Sequence, residues 1–301
     1  MSALDQKLAA ALASREERGI RGRLPPATLS HLPPTPDITS VQTPDVPSGA
    51  PTAVSTTITA ASIPSSAVPA DFSSNDYLSL STSPLLRARV LAALNASPAI
   101  LGSGGSRLIV YNHAHAALEA RLARTFRAPA ALVVNSGFDA NAGFFACIPQ
   151  PGDALLYDAD IHASVHDGAR TSRVAPRFRR PFAHNDVHAL HEALRALRTE
   201  SVALKEGGSS VFVAVESVYS MDGTVAPLRA MIDAMDEIFP ARNAHLVVDE
   251  AHATGIYGPG GRGMVAQLGL EDRVLARMHT FGKALAASGG AFDLWVWLPV
   301  Y

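Results

Sequence analysis

Apolar residues recur every three to four positions over 84–94 and 113–127, the spacing of a helix with one buried face. The rhythm changes at 130–134, a short apolar run closed by Asn135-Ser136-Gly137, which predicts a buried strand and then a turn. Helical patterns follow at 138–147, 161–171, 187–197 and 227–238, and strand-like runs fall between them at 154–157, 211–215, 245–248 and 273–279. Strands alternating with helices predict an α/β fold with a mainly parallel sheet flanked by helices. Ligands of such sheets bind where the strands end. Ser136-Gly137, Ser220, Asp249 and Lys283 each follow a strand candidate, so the architecture gathers them at one sheet edge.

The same pattern divides the chain. Residues 1–23 read as an N-terminal helix in which Ala and Leu mix with Asp5, Lys7, Arg15, Glu16, Glu17 and Arg18. Prolines punctuate 24–70 from Pro25 to Pro69, with Ser and Thr between them, and no apolar period survives there. That stretch predicts a linker or insertion without a core of its own. Residues 71–290 form the α/β domain, and 291–301 are an atypical tail holding both tryptophans, Trp295 and Trp297.

Composition narrows the function. Of 301 residues 48% are apolar, enough for a large core, and the net charge of −2 with no basic stripe argues against a nucleic-acid partner. No apolar run is long enough to span a bilayer, and acidic residues near the N-terminus speak against a mitochondrial leader, so the chain reads as cytoplasmic. The single cysteine, Cys147, excludes an internal disulfide and reads as a packed core thiol in its apolar run.

Several short motifs carry chemistry. In Thr280-Phe281-Gly282-Lys283 a glycine precedes a lysine that could present its amine to a carbonyl, with a hydroxyl nearby for a phosphate. Alone, this is also how a surface lysine after a turn would look. Asp249-Glu250-Ala251-His252 closes an apolar strand: its first carboxylate could pair with a pyridine nitrogen, and its histidine with a phenolic oxygen, or the aspartate could merely cap a helix. Ser136-Gly137-Phe138 opens a helix, where backbone N–H groups suit a phosphate, and is equally an ordinary capped turn. His162 could stack on a ring or simply cap a helix start. Glu216 and Ser220 flank a polar turn that could face the same ligand.

Taken together, these motifs resemble the α-oxoamine synthases, which are fold-type I enzymes dependent on pyridoxal 5′-phosphate (PLP). The likeness is carried by Phe72-Ser73-Ser74-Asn75-Asp76-Tyr77-Leu78-Ser79-Leu80, Gly102-Ser103-Gly104-Gly105-Ser106-Arg107, Ser220-Met221-Asp222-Gly223, Asp249-Glu250-Ala251-His252-Ala253-Thr254-Gly255 and Thr280-Phe281-Gly282-Lys283-Ala284. It covers about 71–290 and implies the large PLP-binding domain. Lys283 would be the Schiff-base lysine and proton acceptor, Asp249 the partner of the pyridine nitrogen, and His162 the stacking ring. His252 and Ser220 would hold the phenolic oxygen side, while Gly137, Phe138 and Thr280 would hold the phosphate. Asn75, Arg107 and Glu216 would line the substrate side.

The implied reaction condenses an amino acid with an acyl-CoA thioester, releasing CO2 and CoA, in a homodimer. The resemblance implies L-alanine with pimeloyl-CoA as the substrate pair, with a glycine C-acetyltransferase or 5-aminolevulinate synthase type of reaction, or a non-catalytic truncated chain, as the alternatives. Family members continue beyond the lysine motif with another strand, a long helix and a small C-terminal domain. The resemblance therefore implies a truncated chain whose shortened sheet exposes an apolar edge.

Overall fold

The computed structural model describes residues 3–18, 73–102, 104–107 and 112–294. The proline-rich stretch at 24–70 and the tail beyond Leu294 lie outside them. The first helix and the residues from Asn75 onward belong to one compact unit.

Among the described residues, three α-helices precede the sheet: α1 (Ala3–Glu17), α2 (Pro84–Ala96) and α3 (His113–Phe126). Strand β1 (Ala130–Val134) leads into α4 (Gly137–Cys147), and β2 (Ala154–Asp158) into α5 (Ala163–Thr171). Then come β3 (Arg179–Phe182), α6 (Val187–Glu200), α7 (Val202–Lys205), β4 (Val211–Glu216) and α8 (Leu228–Ile238). The chain continues through β5 (Ala244–Asp249), α9 (Met264–Leu268), β6 (Ala276–Thr280) and β7 (Gly290–Leu294).

The strands form one sheet in the order β1-β7-β6-β5-β4-β2-β3. Pairing is parallel from β3 across to β6, and β7 runs antiparallel to both β6 and β1. The mixed, mainly parallel sheet expected from the sequence is therefore present. Alternate residues of one strand supply two cores: Val211, Val213 and Val215 of β4 pack with α6 and α8, while Phe212 and Ala214 pack on the opposite face with α1, α4 and α5. That two-sided burial is why β4 reads as a continuous apolar run rather than an alternating one. The helices match their patterns: Leu190, Leu194 and Leu197 bury one stripe of α6, and Met231, Ile232, Met235 and Ile238 one stripe of α8. Helix α1 seats Leu4 and Leu8 in the core and pairs Lys7 with Asp153.

The structure departs from the sequence reading in three places. Strand β3 is Arg-Arg-Pro-Phe at the sheet edge, where proline is tolerated, and it carries no apolar period to see. Residues 291–294, assigned to the atypical tail, form most of β7, inserted between β1 and β6. The expected unfilled edge is thus occupied within the described residues. Cys147, expected in the core, is exposed. Phe144 and Phe145 of α4 are buried, whereas Cys147 is the last residue of that helix.

Candidate active site

Register places the candidate residues before any side chain is considered. Glu216 pairs with Asp249 across β4 and β5, and Asp249 with Met278 across β5 and β6. These parallel strands therefore end together, with Thr280 and the Lys283 turn just beyond. Helix α4 begins at the same edge: a Cβ added to Gly137 would lie 3.1 Å from both the Thr280 Cβ and the Met278 Sδ. Any larger residue there would press on β6, so glycine suits this close approach. The Ser136 side chain accepts from the Asp139 N–H, leaving the first-turn N–H groups of Gly137 and Phe138 without an intrahelical partner. Phe138 and His162 meet edge to face with ring centroids 6.0 Å apart, and both rings are exposed.

Lys283 is half-buried, and its Nζ lies 2.8 Å from His252 Nε2. His252 Nδ1 is 2.7 Å from the Tyr77 hydroxyl, which donates to Asn75 Oδ1 at 3.2 Å. Because the Asn75 oxygen can only accept, the hydrogens run one way: Lys283 to His252, His252 to Tyr77, Tyr77 to Asn75. Burial, with Lys283 and His162 close by, pushes His252 down to about 4, so its ring is neutral at neutral pH. Burial also lowers the Lys283 ammonium from its ordinary value, against the pull of Asp249 and Glu216.

Asp249 is buried, which raises its carboxyl, and this is opposed by donors from the Ala251 backbone at 2.8 Å and from Asn141 Nδ2 at 2.8 Å. Asn141 also donates to Ser164 Oγ, 2.8 Å from His162 Nδ1. Glu216 is 3% exposed; burial, reinforced by the negative charge of Asp249, pushes it up to about 8. It is therefore a neutral acid at neutral pH, not the carboxylate its letter suggests.

Hydrogen bonds or close ring contacts thus link Asn75, His252 and Lys283 in one chain, and Asp249 and His162, with Phe138, in another. Two candidates have other company. Ser220 is exposed in the turn after β4, and among the described residues no hydrogen bond joins it to His252 or Lys283. Arg107 pairs with Glu119 at 2.8 Å and donates to the Val133 carbonyl, tying α3 to β1, and no contact links it to the lysine.

Tyr77, Asn141 and Ser164 were not singled out from the sequence. A polar residue one helical turn beyond Gly137, between Ala140 and Ala142, was the available signal for Asn141. Among the described residues no helix is long and apolar enough to cross a membrane, and none of their His, Cys, Asp or Glu clusters could hold a metal ion.

Residues 69–292 match the family model "Aminotransferase class I and II". The chain is 52% identical over 230 residues to an 8-amino-7-oxononanoate synthase of Emericella nidulans, covering 75% of this chain and 55% of that one. It is 43% identical over 221 residues to the aminoacyl transferase sphA of Byssochlamys spectabilis, covering 73% of this chain and 47% of that one. Among solved structures, SPT with its PLP internal aldimine superposes with a TM-score of 0.63 at 29% identity, covering 73% of this chain and 52% of that one. The chain thus spans about half the length of the curated relatives it matches. With that family model matched over residues 69–292, the chain belongs to the aminotransferase class I and II family.

Proposed function

We propose that this chain binds pyridoxal phosphate on Lys283 and acts as an acyltransferase, condensing an amino acid with an acyl thioester. The observation that carries the reading is the position of Lys283, its amine lowered by burial and touching a neutral His252, beside the strand that ends in buried Asp249. The residues fit the cofactor. Each Asp249 oxygen takes one hydrogen bond, leaving an acceptor for a pyridine N–H. The N–H groups of Gly137 and Phe138, with the Thr280 hydroxyl, would hold the phosphate. The His162 ring, open beside Phe138, would cover one ring face.

When bound, the cofactor supplies an electron sink for the charge left on the substrate α-carbon. The protein supplies the rest. Lys283 would take and return the α-proton, burial keeping more of its amine in the free, nucleophilic form. Asp249 stabilises positive charge at the far end of the ring. Glu216, neutral, can donate a hydrogen bond to a substrate oxygen without repelling a carboxylate. Asn75 and Tyr77 line the approach beyond His252.

The substrate pair we favour is L-alanine with a pimeloyl thioester, giving 8-amino-7-oxononanoate, CO2 and CoA. It is supported by the 52% identity to the enzyme of that name. The likeness to sphA and to SPT favours a second reading, a longer acyl chain or another amino acid. We further propose a homodimer, supported by the exposed apolar residues of α2.

The experiment adds pyridoxal phosphate to the chain and to Lys283→Ala. A visible imine band should appear in the first and be absent in the second, and its absence from both would overturn the cofactor reading. CoA release is then followed with alanine and pimeloyl-CoA against serine and palmitoyl-CoA. Release only from the second pair would replace the substrate assignment.

A further inference from the structure

Asn141 is 2% exposed, one turn inside α4, and both hydrogens of its amide are used. Nδ2 donates to Asp249 Oδ2 at 2.8 Å and to Ser164 Oγ at 3.0 Å. The orientation is forced, because turning the amide over would set its oxygen against a carboxylate. Ser164 is fully buried and accepts from Asn141, which leaves its own O–H free to donate to His162 Nδ1, 2.8 Å away. The Ser164 backbone N–H points at the same nitrogen from 3.2 Å. A ring nitrogen that receives two donors carries no hydrogen, so the imidazole proton sits on Nε2.

We propose that Asn141 is a positioning residue that sets two groups of the site at once. It holds the Asp249 carboxylate turned so that a lone pair stays available, and through Ser164 it fixes His162 as the Nε2–H tautomer. The first half rests on the cofactor reading given above; the second does not. The polarity is one-directional: a side chain with two donors at position 141 pushes hydrogens outward, to the carboxylate on one side and along the hydroxyl to the ring on the other. The Asn141 and Ala251 donors are also what oppose the upward push of burial on Asp249. A packing role alone would give Asn141 no influence on the His162 ring.

The test uses Asn141→Asp, which keeps the size of the side chain and reverses the hydrogens. The oxygen that replaces Nδ2 faces both Asp249 and Ser164: it must share a proton with the Asp249 carboxylate, and it then accepts from the Ser164 O–H, turning that hydroxyl away from His162. Ring 15N spectra of the cofactor-free chain, with His162 assigned through His162→Gln, read the tautomer directly. The wild type should hold its proton on Nε2, and in Asn141→Asp the Nδ1-protonated share should rise roughly fivefold, the worth of one neutral hydrogen bond. Ser164→Ala removes the same donor and should move the ring in the same direction, and it decides the matter if Asn141→Asp does not fold. A His162 spectrum unchanged in Ser164→Ala, or in folded Asn141→Asp, overturns the proposal. A parallel titration with pyridoxal phosphate should show the imine band in folded Asn141→Asp requiring at least about tenfold more cofactor than wild type. An equal requirement overturns the Asp249 half. No band in the wild type would instead sink the cofactor reading and leave the tautomer result standing.

Discussion

Glu216 and Asp249 lie side by side in register at the ends of β4 and β5, and neither has the acidity of an exposed carboxyl. For Glu216, whose ordinary value is 4.5 and whose folded value is about 8, the consequence for stability has a definite sign. Below pH 4.5 it is protonated in folded and unfolded chains alike. Between 4.5 and about 8 only the unfolded chain ionises, so its contribution to stability is lost as pH rises through that window. Glu216→Gln stays neutral and should flatten the slope. Urea unfolding at pH 5 and pH 8.5 should show the wild type losing more stability than the variant, by at least about 1 kcal/mol. Parallel losses would show that Glu216 is ionised in the fold. His252 works in the other direction: it is held neutral down to about 4, and its contribution fades as pH falls from 6.5 towards that value. The identity of these residues was legible in the sequence, because strand ends mark where a parallel sheet gathers its ligands. Their protonation was not, because burial and a neighbouring charge on another strand decide it.

At the scale of elements, β7 places a charged network in the middle of the sheet. Asp293 is fully buried, pairs with Arg277 at 2.7 Å and lies 3.1 Å from His279, whose ring stacks on Phe126. Arg277 also donates to the Phe126 carbonyl at 2.6 Å, fastening the end of α3 to β6. Removing one member of such a set strands the other charge in the core. Asp293→Ala should therefore cost about 3–5 kcal/mol in urea unfolding, and Asp293→Asn, which keeps an acceptor for Arg277, distinctly less. A loss below about 1 kcal/mol for Asp293→Ala would mean that Arg277 finds other partners. None of this was visible in Gly290-Ala291-Phe292-Asp293-Leu294, because a lone aspartate among apolar residues looks like the end of a strand. Its partner lies 16 residues back, on the neighbouring strand. By contrast, α6 and α8 were plain from their spacing, since a helix writes its buried face into consecutive residues.

For the molecule as a whole, α2 offers an apolar surface among the described residues: it has no buried residue and exposes Leu85, Val90, Leu91 and Leu94. Apolar side chains gathered along one helix mark a binding face, and a second copy of the chain is the partner proposed above. Sedimentation should show mass rising from one chain to two with concentration, and Leu91→Arg should hold the chain as a monomer without lowering its melting temperature. A wild type that stays monomeric at every concentration would rule out this face as a dimer contact. The sequence by itself determined the alternation of strands and helices, the mainly parallel sheet and the residues standing at its ligand edge, Lys283 and Asp249 among them. Those features follow from periodicity and from turn chemistry, which are local. Tertiary structure alone decided that β7 enters the sheet, that Arg107 is engaged by Glu119, that Glu216 is neutral, and that Asn141 joins Asp249 to His162. Each of these depends on segments far apart in the chain, whose meeting sets the burial, the charge neighbours and the direction of every hydrogen bond.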